Sequence, residues 1–73
     1  MKDLQVSQFL NKLRDQANDE ERDHHKYMAL SSEARQLGFP STAGILRNIA
    51  RDELHHHKVL KQRIEMIERI GRV

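Results

Sequence analysis

Apolar residues recur at steps of three and four along two stretches of the chain. In the first, Val6, Phe9, Leu10, Leu13, Ala17, Tyr27, Leu30, Ala34 and Leu37 keep that step, which is the period of an amphipathic helix. No glycine or proline interrupts Asp3 to Leu37, and good helix formers dominate, so the pattern predicts a helix over about 3–37. At ~1.5 Å per residue it would be about 50 Å long, too long for a compact monomeric globule and suited to a bundle. In the second stretch, Ala43, Leu46, Ile49, Ala50, Leu60, Ile64 and Ile67 predict a helix over about 40–70. Between them, Gly38 stands where a helix C-terminus takes a residue that tolerates positive φ. Pro40 stands where a missing N–H costs a new helix nothing. The turn at about 38–39 is short, and short connections make antiparallel neighbours. Gly44, inside the second helix, costs up to ~1 kcal/mol against alanine, which a close approach of helices would justify. Gly71 marks the second helix's end. The two halves resemble each other only as amphipathic helices. The expected fold is all-α: one domain over 1–73, a two-helix antiparallel hairpin that dimerises into a four-helix bundle.

Length gives the dimer its motive. A domain of 73 residues buries only about 60% of the surface its unfolded chain exposes, and scaffolds this small need a staple. The chain has no cysteine, which excludes disulfides, thiolate zinc sites and a rubredoxin-type iron site. Metal and a partner chain remain.

Charge narrows the classes of partner. Lys and Arg number 13 against 11 Asp and Glu, and the two signs are interspersed. A nucleic-acid binder shows a basic block with aromatics between; the aromatics here are Phe9, Tyr27 and Phe39. Nucleic acid is therefore a weak third hypothesis, which salt-dependent binding would reveal. No apolar run approaches the ~20 residues that span a bilayer, and the N-terminus lacks a signal-peptide core. The expectation is a soluble, cytoplasmic protein without a membrane partner.

The candidate chemistry lies where polar residues interrupt the apolar stripes. At ~100° per residue, with Glu20 at zero, Leu13 and Ser31 fall at about +20°, Phe9 and Tyr27 at about −20° and Ala34 at about −40°. Glu20 is thus in mid-stripe, while Glu21, about 100° away, is at its edge. With Glu53 at zero, Leu46 and Ile64 fall at about +20° and Leu60 at about −20°. His56 falls at about −60° and His57 at about +40°, while His55 points outward. Glu53 and His56 stand one turn apart, the spacing at which a carboxylate and an imidazole can hold one metal ion. Glu20 and Glu53 lie about 27 and 22 Å from Gly38 along their helices, at similar depth. An ionised carboxylate inside a bundle is tolerated only when paired, protonated or metal-bound, and Arg47 or Arg51 could serve as the pair. Two hairpins in a twofold dimer would instead bring together four carboxylates and two imidazoles. That is the donor set of di-iron carboxylate bundles.

Glu20 with Tyr27 seven residues later, followed by Ile49-Ala50-Arg51-Asp52-Glu53-Leu54-His55-His56, resembles the first half of a rubrerythrin-type ferritin-like domain. The likeness covers about Asn18 to Leu60 and includes the Gly-Phe-Pro turn. It implies that Glu20, Glu53 and His56 are metal ligands, with Glu53 bridging two iron ions per dimer, or manganese in their place. A full rubrerythrin domain carries a second helix pair and a rubredoxin-like tail in the same chain. Neither is in this sequence, which is similar to the half-ferritins, encapsulated ferritins among them. Ile70-Gly71-Arg72-Val73 is too short to identify as a cage-targeting tail. His24, four residues after Glu20, is a candidate for supporting the ligands or for a third nitrogen, against the more ordinary reading of a hydrogen-bonded bundle histidine. His57 rivals His56, and His25 is a surface residue. Tyr27 is a core residue that could bond a ligand carboxylate or serve as a redox-active neighbour.

The leading functional expectation is a di-iron ferroxidase or peroxidase, a homodimer or larger homo-oligomer that reacts Fe(II) with O2 or peroxide. The competing one is a catalytically silent hairpin module with a structural or vestigial metal site.

Overall fold

The computed structural model describes residues 2–70 and places two α-helices side by side, α1 (Lys2–Gln36) and α2 (Pro40–Ile70). The hairpin measures 55 × 15 × 10 Å. It is one helix thick.

The turn obeys the residues that make it. Gly38 has φ 86°, a conformation that carries no Cβ penalty only in glycine. Its N–H donates to Arg35 O at 3.1 Å, and the Phe39 N–H reaches back to Ala34 O at 2.8 Å. This pair of bonds is the Schellman motif, which satisfies carbonyls left over at the end of α1. Phe39 O then accepts from Ala43 N at 3.0 Å and opens α2, with Pro40 at its first position. The expected helix stop at Gly71 lies outside the described residues. Within the hairpin Gly44 does not serve close approach, because a Cβ there would meet nothing of this chain within 4 Å.

The two helices touch along a narrow seam. Its buried residues are Leu10, Ala17, Ser31 and Ala34 on α1 and Ala43, Ala50 and Ile64 on α2. Most recur every seven residues, the repeat of a coiled-coil seam. Leu10 and Ile64 share one cluster with Leu13, Leu60 and Ile67 around them. Further along the same register, His57 Nδ1 meets Ala17 O at 2.7 Å, His24 Nδ1 meets Ala50 O at 2.6 Å, and Ser31 Oγ–H donates to Ala43 O at 2.7 Å. In each polar layer an alanine lets the facing side chain reach its backbone carbonyl.

This register points to a likeness between the halves that apolar periodicity alone does not show. Leu13-Arg14-Asp15-Gln16-Ala17-Asn18-Asp19-Glu20-Glu21-Arg22-Asp23-His24 matches Leu46-Arg47-Asn48-Ile49-Ala50-Arg51-Asp52-Glu53-Leu54-His55-His56-His57 at leucine, arginine, alanine, aspartate, glutamate and histidine. The halves are therefore more alike than their amphipathicity. A local pseudo-dyad exchanges the Ala17–His57 layer with the Ala50–His24 layer and relates Glu20 to Glu53.

Two helices cannot enclose a core, and no large side chain among the described residues is fully buried. Phe9, Leu30, Ile45 and Val59 remain exposed. Their helical phases, about −20° to −120° from the glutamate of each helix, put them beside Glu20 and Glu53 on one face. No described helix is long and apolar enough to cross a membrane.

Candidate metal centre

Glu20 and Glu53 stand just off the seam, on the face that the exposed apolar residues share. With His56 they form a group whose ligand atoms all lie within 4.8 Å of one another. The Glu20 side chain is only 15% exposed, whereas that of His56 is 55% exposed, with Nδ1 at 3.6 Å from Glu20 Oε2. That distance exceeds a hydrogen bond. Glu20 Oε1 accepts from Gln16 Nε2 at 3.1 Å. Glu20 Oε2 is buried and without a hydrogen-bond partner. Among the described residues no arginine pairs with either glutamate. A groove of about 470 Å³ opens onto the group, lined by Gln16, Glu20, His55, His56, Val59 and Leu60.

The two carboxyls titrate as a pair with opposite shifts. Glu53 is raised above its ordinary value, chiefly by the neighbouring Glu20 carboxyl, with burial and the negative charges of Glu20 and Asp23 acting in the same direction. Glu20 is lowered, chiefly by its interaction with Glu53; burial opposes the shift, and Gln16 and His56 support it. Glu53 is therefore the weaker acid of the metal-free pair. The position on α1 equivalent to His56 is Asp23; the charge of His56 lowers both carboxyls, and that of Asp23 adds an upward push on Glu53, smaller than that of Glu20.

His24 and His57 are on the seam and outside this group. Each turns Nδ1 to a backbone carbonyl. Because a carbonyl only accepts, each Nδ1 carries the proton. His57 Nε2 faces away from the centre, 3.8 Å from Glu21 Oε2. Tyr27 is half-buried, and His25 and His55 are exposed. The helical phases brought Glu20, Glu53 and His56 to one face. They did not separate two inward directions, toward the sister helix and toward the open face, which is why His57 stood as a rival to His56; His24 is the hydrogen-bonded bundle histidine of its more ordinary reading. The seven-residue spacing of Leu10, Ala17, His24 and Ser31, matched by Ala43, Ala50, His57 and Ile64, is the signal that assigns both histidines to the seam.

A buried carboxylate oxygen without a partner, a second carboxylate and an imidazole around one point make a donor set for a divalent cation such as iron or manganese. Compared with known proteins, residues 11–70 match the family model described as Rubrerythrin. No curated protein and no solved structure matches the chain.

Proposed function

The chain belongs to the rubrerythrin family, and from that premise we propose that it is a ferritin-like di-iron carboxylate protein whose centre forms where two hairpins meet. In this reading each chain contributes Glu20, Glu53 and His56, and a twofold pair supplies four carboxylates and two imidazoles for two iron ions, with manganese as the alternative. The observation that carries the reading is Glu20 Oε2, buried without a partner at the heart of the group. A buried acceptor left unpaired costs about 1–3 kcal/mol, more if charged, and a cation would satisfy it while competing with protons for the carboxylates. Iron bound there would supply electron transfer to O2 or peroxide, making the protein a cytoplasmic ferroxidase or peroxidase.

The chain's own residues prepare the centre. The seam fixes the helices so that Glu20 and Glu53 oppose each other, and His56 extends the group toward the open face. Phe9, Leu30, Ile45 and Val59 would be covered by a second copy, which would also exclude water from the carboxylates. His24 acts through its bond to Ala50 O, holding α1 and α2 in register. Tyr27, one face with Glu20 and two turns along, would offer its hydroxyl to a ligand carboxylate in the assembled bundle.

The test is oxidation of Fe(II) loaded anaerobically and then exposed to O2 or to hydrogen peroxide. Oxidation faster than in protein-free buffer, lost in Glu53→Ala, is expected. Metal binding without accelerated oxidation by either oxidant would assign the protein to the silent structural class instead.

A further inference from the structure

The face of the hairpin opposite Glu20 and Glu53 carries two grooves that the pseudo-dyad relates. The larger, about 340 Å³, is lined by Arg14 and Lys61 together with Glu21, Glu65 and Glu68. Its main cation is matched internally: Arg14 Nη2 is 3.1 Å from Glu68 Oε1. The smaller, about 170 Å³, is lined by Met28, Ser31, Ser32, Arg35 and Arg47. Each of these is the repeat counterpart of a residue in the larger groove.

The exchange of residues changes the sign of the groove. Arg47 is the counterpart of Arg14 and keeps its charge. The three acids are all replaced: Glu68 by Arg35, Glu65 by Ser32 and Glu21 by Leu54. Where one groove has an arginine facing a glutamate, the other has two arginines. Among the described residues neither Arg35 nor Arg47 lies within ion-pair distance of a carboxylate. The negative C-terminal end of α1 accounts for Arg35, in its last turn. It does not account for Arg47, near the opposite, positive end of the helix that bears it. Two guanidiniums without a counter-charge in one small groove make it a place that favours an anion between them.

We infer that this groove binds a small tetrahedral oxyanion of the phosphate class, either inorganic phosphate or the phosphoryl group of a small monoester. Its charge near neutral pH, about −1.5 to −2, offsets two arginines, which a single carboxylate would not. Its oxygens accept the planar forks that guanidinium groups present. The Ser32 hydroxyl adds a donor, while the Ser31 hydroxyl is committed to Ala43 O. The groove is on the face away from the metal group, so the two sites stand or fall separately.

The test is titration of chelator-treated, full-length protein with inorganic phosphate at constant ionic strength, followed by amide NMR shifts and calorimetry. One saturable site per chain is expected, with shifts centred on Ser32, Arg35 and Arg47. Arg35→Gln and Arg47→Gln should each weaken binding by about tenfold or more, as the loss of a charge-assisted bond implies. Arg14→Gln, the same position in the charge-matched groove, should leave it unchanged. Both arginines are exposed, and far-UV circular dichroism confirms that the variants fold. Glycerol phosphate binding more tightly than phosphate would identify a monoester as the source, and equal or weaker binding would identify free phosphate. Absence of saturation, equal weakening by Arg14→Gln, or binding confined to a polyanion such as an oligonucleotide would overturn the inference.

Discussion

Replacing His57 tests how the centre is held in place. The side chain donates Nδ1–H to Ala17 O at 2.7 Å across the seam, one layer from Glu20. His57→Leu keeps apolar bulk and removes the donor. Ala17 O retains its helical N–H partner, so it is not wholly orphaned, and the loss is that of one partly buried hydrogen bond, about 1 kcal/mol. The contact of His57 Nε2 with Glu21, 3.8 Å away on a half-exposed side chain, adds little. For a domain of 60–100 residues, ~1 kcal/mol lowers the melting temperature by about 4–8 °C. In His57→Asn the amide nitrogen occupies nearly the place of Nδ1 and can donate to the same carbonyl, so most of the loss should be recovered. The assay is thermal melting of metal-free protein at fixed concentration, paired with metal binding. His57→Asn should keep metal and His56→Ala should lose it, because only His56 stands in the group with the two glutamates. If asparagine is as damaging as leucine, or if His57→Asn abolishes metal while His56→Ala does not, the seam assignment is wrong.

Further outcomes follow from the turn, the charges and the uncovered face. Gly38→Ala should cost about 1 kcal/mol, because φ 86° penalises a Cβ even in open space, whereas Gly44→Ala should stabilise by up to ~1 kcal/mol in the same melting assay. Unequal signs are the expectation, and equal signs would contradict it. For the glutamate pair, a lowered acid adds stability as pH rises from its folded to its ordinary value, and a raised acid removes stability as pH rises from its ordinary to its folded value. With the ordinary value at 4.5, Glu20 lowered and Glu53 raised, the pair's contribution in the apo protein peaks near that pH and declines toward neutrality. Glu53→Gln should flatten the upper limb, and a wild-type minus variant difference constant from about pH 4 to 7 would refute the upward shift of Glu53. Fe(II) or Mn(II) should raise the wild-type melting temperature at pH 7 by several degrees and lose that effect toward pH 4, where protons compete for the ligands. Melting should also depend on protein concentration, and a folded monomer in sedimentation at micromolar concentration would end the two-hairpin reading.

Much of the hairpin is legible in the sequence because its signals are local. Gly38 and Pro40 dictate a helix stop and a helix start, and the apolar step of three and four carries the helices on either side. The meeting of Glu20, Glu53 and His56 is legible for a related reason: helical phase and distance from the turn are both simple counts. The histidines show where counting fails. His24 and His57 have phases close to those of the glutamates, and only the pairing of helices shows that they point at the sister backbone. The repeat is itself legible in the sequence, as leucine, arginine, alanine, aspartate, glutamate and histidine recurring in the same order 33 residues on, but apolar periodicity alone does not show it. Asp23, whose charge adds to the upward shift of Glu53, becomes significant only through the dyad that places it opposite His56.

The central claim is that Glu20, Glu53 and His56 of two chains hold metal together. It is tested most directly by metal analysis of protein loaded anaerobically with Fe(II), with the oligomer measured on the same sample. The account predicts about two iron ions per dimer, no loading in Glu53→Ala or Glu20→Ala, and undiminished loading in Glu21→Ala. Iron bound to a monomer, or loading that survives Glu20→Ala and is lost in Glu21→Ala, would contradict it.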